Sequence, residues 1–284
     1  MGSCETANTA TCARGASALS LACCQMNIVW EDKAANYRRA ESLVAAANLP
    51  PDTLLLLPEM FATGFTMNAD AVAEPLDGPT AALLAGLARR HRVFVQAGAV
   101  IRTPGRPRPS NAVLILTPDG RLAAHYEKMH LFSLASEPDH YAAGSTTVVF
   151  EWQATCVAPA ICYDLRFPEL FRATVSRGAE ILTVCACWPA PRAEHWLALL
   201  RARAIENQCY VAAVNRCGSD PSGQTYSGRS QIIDPRGEIV ADAGNEEQIV
   251  QAPVDLAALR RYRCEFPALR DMRSLPQGWN ESGC

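Results

Sequence analysis

The chain has 284 residues, a formal net charge of −3, 49% hydrophobic residues and 19% charged residues. That length can bury a sizeable core, and the balance is that of an ordinary globular protein. No arginine- or lysine-rich run offers a footing for nucleic acid, and no apolar run reaches the eighteen or so residues of a membrane span, so neither is an expected partner.

Residues 1–17 are small and polar, without the basic start and apolar centre of a signal peptide. They are expected to be a disordered leader or expression remnant, and the protein to be cytoplasmic. Leu19 to Val29 reads as a buried strand. From Asp32 to Ala47, residues Ala40, Leu43, Val44 and Ala47 share one helical face. Thr53 to Leu57 is a short apolar strand closed by Pro58-Glu59, and a helix is expected from Pro79 to His91, with proline at a tolerated first position. Strands follow at Val93 to Val100, Asn111 to Thr117 and, past the turn Pro118-Asp119-Gly120, Arg121 to Glu127.

The second half repeats this alternation. A strand from Thr155 to Ile161 leads to a helix from Pro168 to Arg177, and a strand from Glu180 to Cys187 to a helix from Ala193 to Asn207. Then come a strand from Cys209 to Asn215, two strands flanking Asp234-Pro235-Arg236-Gly237, and a short helix from Leu256 to Tyr262. No linker or internal repeat divides the chain, which predicts one α/β domain over residues 18–266 and a tail over 267–284. Strand pairs joined by tight turns argue against a purely parallel sheet.

Twelve cysteines are scattered, and a chain this large without an export signal favours reduced thiols over a disulfide framework. No Cys-x-x-Cys pair occurs and the histidines are isolated, so no metal is expected. Cys185 and Cys187 share a face of an apolar strand and read as core. Cys162 differs from the rest. It stands where an apolar strand stops and a proline-led helix begins, a turn that holds a side chain clear of the backbone.

A cysteine nucleophile needs a base for its proton and a donor for the developing oxyanion. A free thiol, with a pKa of about 8.5, is only a few per cent thiolate at neutral pH. None of the five histidines sits in a local catalytic signature. Glu59 and Lys128 end two other strands, and strand ends are where α/β sites are assembled, so acid, lysine and thiol form a candidate trio. Glu and Lys also end strands simply to reach water, and spacing leaves both readings open.

Three stretches carry a resemblance. Leu57-Pro58-Glu59-Met60-Phe61-Ala62-Thr63-Gly64-Phe65, Lys128-Met129-His130-Leu131-Phe132 and Ile161-Cys162-Tyr163-Asp164-Leu165-Arg166-Phe167-Pro168-Glu169 resemble the Glu, Lys and Cys motifs of the carbon–nitrogen hydrolase (nitrilase) superfamily, in order. Ser136 to Tyr141, Trp188 to Arg192 and Arg201 to Gln208 resemble its ω-amidase branch, which hydrolyses the terminal amide of α-keto acid amides such as 2-oxoglutaramate and 2-oxosuccinamate. Arg229, in Tyr226-Ser227-Gly228-Arg229-Ser230, departs from the Asp or His of that branch and bears on substrate preference.

The resemblance implies an α-β-β-α four-layer sandwich with mixed sheets, a homodimer, a small-molecule amide substrate and no cofactor. It implies that Glu59 serves as base and acid, Lys128 with a backbone N–H as oxyanion donor, and Cys162 as nucleophile through a thioester. Glu137 is similar to a second family glutamate that orients the lysine, although sequence alone reads it as an exposed loop acid. Phe65, Arg166 and Trp188 are candidate substrate contacts, Arg166 for a substrate carboxylate or, alternatively, for an ion pair beneath the nucleophile turn. Competing readings are another amidase, a nitrilase or an acyl transferase of the superfamily, a non-catalytic scaffold, and a thiol-redox protein.

Overall fold

A computed structural model describes residues 19–273; the expected leader and the end of the expected tail lie outside these residues. In chain order the strands are β1 (Leu19–Gln25), β2 (Leu54–Leu56), β3 (Phe94–Ile101), β4 (Ser110–Leu116), β5 (Leu122–Glu127), β6 (Phe150–Trp152), β7 (Thr155–Ile161), β8 (Ile181–Ala186), β9 (Tyr210–Asn215), β10 (Cys217–Ser219), β11 (Thr225–Ser227), β12 (Gln231–Ile233), β13 (Ile239–Asp242) and β14 (Gln248–Val254). The helices are α1 (Lys33–Ala46), α2 (Ala69–Val72), α3 (Pro79–His91), α4 (Glu137–His140), α5 (Pro168–Ser176), α6 (Ala193–Asn207) and α7 (Leu256–Glu265).

Two mixed sheets result, ordered β14-β1-β2-β3-β4-β5 and β13-β12-β9-β8-β7-β6. In each, a three-stranded parallel centre is flanked by antiparallel strands: β1-β2-β3 in the first sheet and β7-β8-β9 in the second. The two sheets therefore share one pairing pattern, a repeat of topology that the sequence does not display.

Alternation along the strands builds the layers. Leu21, Cys23, Leu54, Leu56, Val113 and Ile115 point into the core between the sheets, where they meet side chains of β7, β8 and β9. Their neighbours Ala22, Cys24, Leu55, Leu57, Ala112 and Leu114 point outward to α1 and α3, meeting Ala40, Val44, Leu84 and Leu87. On the far side α6 packs on β9 and β12, and α5 packs on α6. Strands covered on both faces read as continuous apolar runs. The architecture is the four-layer α-β-β-α sandwich.

Short and edge elements escape the sequence pattern, among them β6, α2, the β10–β11 hairpin and β14. The last pairs antiparallel with β1 along Leu19↔Val254 to Gln25↔Gln248. Cys185 and Cys187 do not share a face as expected. Strand β8 ends at Ala186, so Cys185 stays between the sheets while Cys187, past the strand end, joins a different apolar cluster that includes Phe61 and Tyr226.

Candidate active site

The carboxyl ends of β2, β7 and β8 and the end of β5 converge on one cavity of about 250 Å³. Its wall includes Glu59, Phe65, Lys128, Cys162, Arg166, Cys187 and Trp188. Every candidate contact named from the sequence therefore reaches the same space, apart from Glu137, which lies directly behind Lys128.

Lys128 is fully buried, as are Glu59 and Glu137. Its Nζ donates to Glu59 Oε1 at 2.9 Å and to both oxygens of Glu137 at 3.1 and 2.9 Å. Burial by itself would push this ammonium towards the neutral form; Glu59 and Glu137 outweigh that effect and hold its pKa well above the ordinary lysine range. Glu137 accepts a further bond from Phe132 N at 2.6 Å. It is a buried partner of the lysine, not an exposed loop acid. The left-handed Ser136, with φ of 57°, sets the chain into the short helix α4 that delivers it.

Asn111, on β4, went unnoticed in the sequence because it begins an otherwise apolar strand. Its Nδ2 donates to Glu59 Oε1 at 2.7 Å and to Glu137 Oε1 at 2.9 Å. Cys187 contributes its backbone N–H to Glu59 Oε2 at 2.8 Å, and its thiol donates to the Glu59 carbonyl at 3.2 Å. Thus Glu59 Oε1 is saturated by two donors, whereas Oε2 has one donor and a lone pair to spare.

Cys162 adopts φ of 47°, a left-handed conformation uncommon for a residue with a side chain. The turn is held by Asp164, which is fully buried. Its carboxylate accepts from Ile161 N at 3.0 Å, Tyr126 Oη at 2.7 Å and His130 N at 3.0 Å. His130 Nδ1 lies 2.8 Å from the same carboxylate, and its ring stacks on Phe167 with centroids 3.8 Å apart. Asp164 thereby ties the cysteine turn to the segment that carries Lys128. Burial, and then the negative charge of Glu59, push the Cys162 thiol well above its usual pKa, with Lys128 opposing. At rest Cys162 is held as a thiol beside the Glu59 side chain.

Around this floor stand Trp30, Phe132, Trp188 and Tyr226. The Phe65 ring lies 5.1 Å from Lys128 Nζ. Arg166 is stacked 4.8 Å over the Trp188 ring, with Nη2 3.2 Å from His195 Nδ1. The alternative ion pair beneath the turn is not formed with any described residue. Arg229 is outside the cavity lining; it pairs with Asp242 at 2.8 Å, and its carbonyl accepts the Trp196 indole N–H. Its departure from the branch pattern is accommodated by an ion pair away from the pocket. Arg192 and the β10–β11 hairpin, which brings Asp220 and Tyr226, complete the wall; in the sequence Arg192 and Tyr226 stand out only within longer stretches, neither with a role at the site.

A four-layer sandwich with Glu, Lys and Cys at its strand ends is the hallmark of a hydrolase of carbon–nitrogen bonds. The carbon-nitrogen hydrolase family model matches residues 20–264, and the chain belongs to that family. It is 38% identical over 256 residues to the 2-oxoglutaramate amidase of Bacillus subtilis (strain 168), covering 89% of this chain and 97% of the relative. It is 40% identical over 257 residues to the omega-amidase YafV of Yersinia enterocolitica, covering 90% and 97%. A CN-hydrolase superfamily protein from Xanthomonas campestris, solved with an arsenic adduct in its active site, superposes with a TM-score of 0.87. That protein is 37% identical and the match covers 93% of this chain and all of that one. The chain is an enzyme that hydrolyses amides.

Proposed function

We propose that this amidase is an ω-amidase, releasing ammonia from the terminal amide of 2-oxoglutaramate or 2-oxosuccinamate to leave the dicarboxylate. The observation that carries the chemistry is the division of labour on Glu59. With Oε1 occupied by Lys128 and Asn111, Oε2 is the oxygen free to take the Cys162 proton. The sulfur attacks the amide carbon as that proton leaves. Lys128, kept charged by its two carboxylates, and a backbone N–H beside Cys162 bind the oxyanion, and losing one such donor costs about 3 to 4 kcal/mol in the barrier. Glu59 returns its proton to the nitrogen, ammonia departs, and a thioester stays on Cys162. A water then gives its proton to Glu59 and attacks the thioester, freeing the acid and the thiol. One carboxylate used in both halves explains why no histidine is needed.

The α-keto acid preference is supported by the ω-amidase relatives and by Arg166, a guanidinium lining the cavity and without a carboxylate partner among the described residues. An ammonia-release panel over 2-oxoglutaramate, 2-oxosuccinamate, glutamine, asparagine and simple nitriles tests the reading. Turnover confined to the two keto acid amides is expected; preferential nitrile turnover would overturn it. The chain is read further as a single domain over residues 18–266, acting in the cytoplasm as a homodimer. Exposed Ile205 on α6, and exposed Phe266 and Met272 in the segment after α7, supply apolar surface for pairing. Light scattering that returned a monomer would remove the dimer.

A further inference from the structure

We propose that Arg192 is the specificity residue that admits α-keto acid amides and turns away α-amino acid amides, an inference that rests on the ω-amidase reading above. Arg192 ends a 3-10 turn, Ala190–Arg192, that leaves the end of β8. Pro189 and Pro191 restrict the backbone of this turn, and the Trp188 indole N–H donates to the Arg192 carbonyl at 2.7 Å. The side chain is held by packing alone. Its guanidinium lies 5.5 Å from the centroid of the Phe132 ring and makes no hydrogen bond or ion pair with any described residue. A cavity-lining guanidinium with its N–H donors uncommitted is ready to meet a ligand oxygen.

The other charges around the cavity are already engaged. Glu59 is held at the floor by Lys128, Asn111 and the Cys187 N–H. Asp220 accepts from Ser222 N, Ser222 Oγ, Gln224 N and Tyr226 Oη at 2.9, 2.6, 3.2 and 2.9 Å. Arg166 and Arg192 are therefore the cations of the pocket wall that have no ion-pair partner among the described residues, joined through Trp188, whose ring carries one and whose N–H anchors the other.

An ω-amide substrate carries its α-carboxylate and its α-substituent on adjoining carbons. With the carboxylate on Arg166, the α-substituent falls to Arg192. A keto oxygen accepts an N–H. An α-ammonium has only donors and brings a like charge to a guanidinium, so it leaves the arginine unpaired and repelled. Discrimination by a mispaired polar group is far stronger than discrimination by size.

The test compares R192M and R192K with wild type on 2-oxoglutaramate, on glutaramate (the same chain without the keto group) and on glutamine, with folding checked by circular dichroism. For R192M, kcat/KM on 2-oxoglutaramate should fall about 10- to 100-fold, mostly through KM, the effect of one lost charge-assisted hydrogen bond. Glutaramate should change by less than about 3-fold, because it offers Arg192 no acceptor. R192K should recover part of the loss, and the keto-over-amino preference should shrink in R192M. Equal losses on 2-oxoglutaramate and glutaramate, or none on either, would overturn the inference while leaving the ω-amidase reading intact. Wild-type enzyme inert towards 2-oxoglutaramate would sink both.

Discussion

Glu59 meets Lys128 and Asn111 through one oxygen and the Cys187 N–H through the other, so its position is fixed by three elements at once. Lys128 in turn depends on two carboxylates for its charge. This dependence has a pH signature. The charges of Glu59 and Glu137 raise the Lys128 pKa against the pull of burial. In Glu137→Gln one of those charges is gone, and the lysine pKa drops. An oxyanion donor works as the ammonium, below its pKa, so the alkaline limb of the kcat/KM profile should move to lower pH in this variant. A profile whose alkaline limb stays where wild type has it would separate Glu137 from the charge of Lys128. Glu59, Lys128 and Cys162 were legible in the sequence because each ends a strand inside a stretch that resembles a family motif. Asn111 and Cys187 were not, because each reads locally as part of a strand and acquires its partners only when distant segments meet.

At the scale of elements, the site depends on how closely β2's extension passes over β3. The Glu59 segment lies directly on Gly98: a Cβ there would sit 2.4 Å from Met60 N and 2.5 Å from Glu59 Cα. Backbone atoms cannot give way as a side-chain tip can, so Gly98→Ala must push the Glu59 segment outward. Thermal unfolding should show a loss of about 1 to 3 kcal/mol, the usual cost of overpacking. Ammonia release should fall out of proportion to that loss, since Glu59, the proposed base, moves with its segment. A folded variant with wild-type kcat would show that the close approach is incidental. Apolar strands and proline-led helices such as Thr155–Ile161 and Pro79–His91 have the bounds the sequence predicted. Strand β14 was missed because it is an edge strand with alternating exposure, defined by its pairing with β1 more than by its composition.

For the whole molecule, the doubly covered sheets enclose many thiols. Burial pushes Cys23, Cys24, Cys185, Cys187, Cys209 and Cys217 well above the ordinary thiol range. A raised native pKa means that the folded state keeps a proton which the unfolded chain has released. Stability from these groups is therefore complete below the unfolded value and declines as pH rises above it. Each buried thiol adds a slope of about 1.4 kcal/mol per pH unit in that window. Denaturant unfolding should show stability falling above a pH of about 8.5, the value of a free thiol, and Cys24→Ala should make the fall shallower. Equal slopes in both proteins would contradict this account of the core. The sandwich itself was expected from the motif resemblance; the matching pairing order of its two sheets was not, since topology can repeat where sequence does not.

The thioester on Cys162 is the central claim, and interception by hydroxylamine tests it most directly. During turnover of 2-oxoglutaramate the wild-type enzyme should form the ω-hydroxamate alongside the acid, in a ratio that rises with hydroxylamine concentration, and Cys162→Ala should form neither product. Ammonia release by Cys162→Ala at the wild-type rate, or hydrolysis by wild type with no hydroxamate at any hydroxylamine concentration, would contradict it.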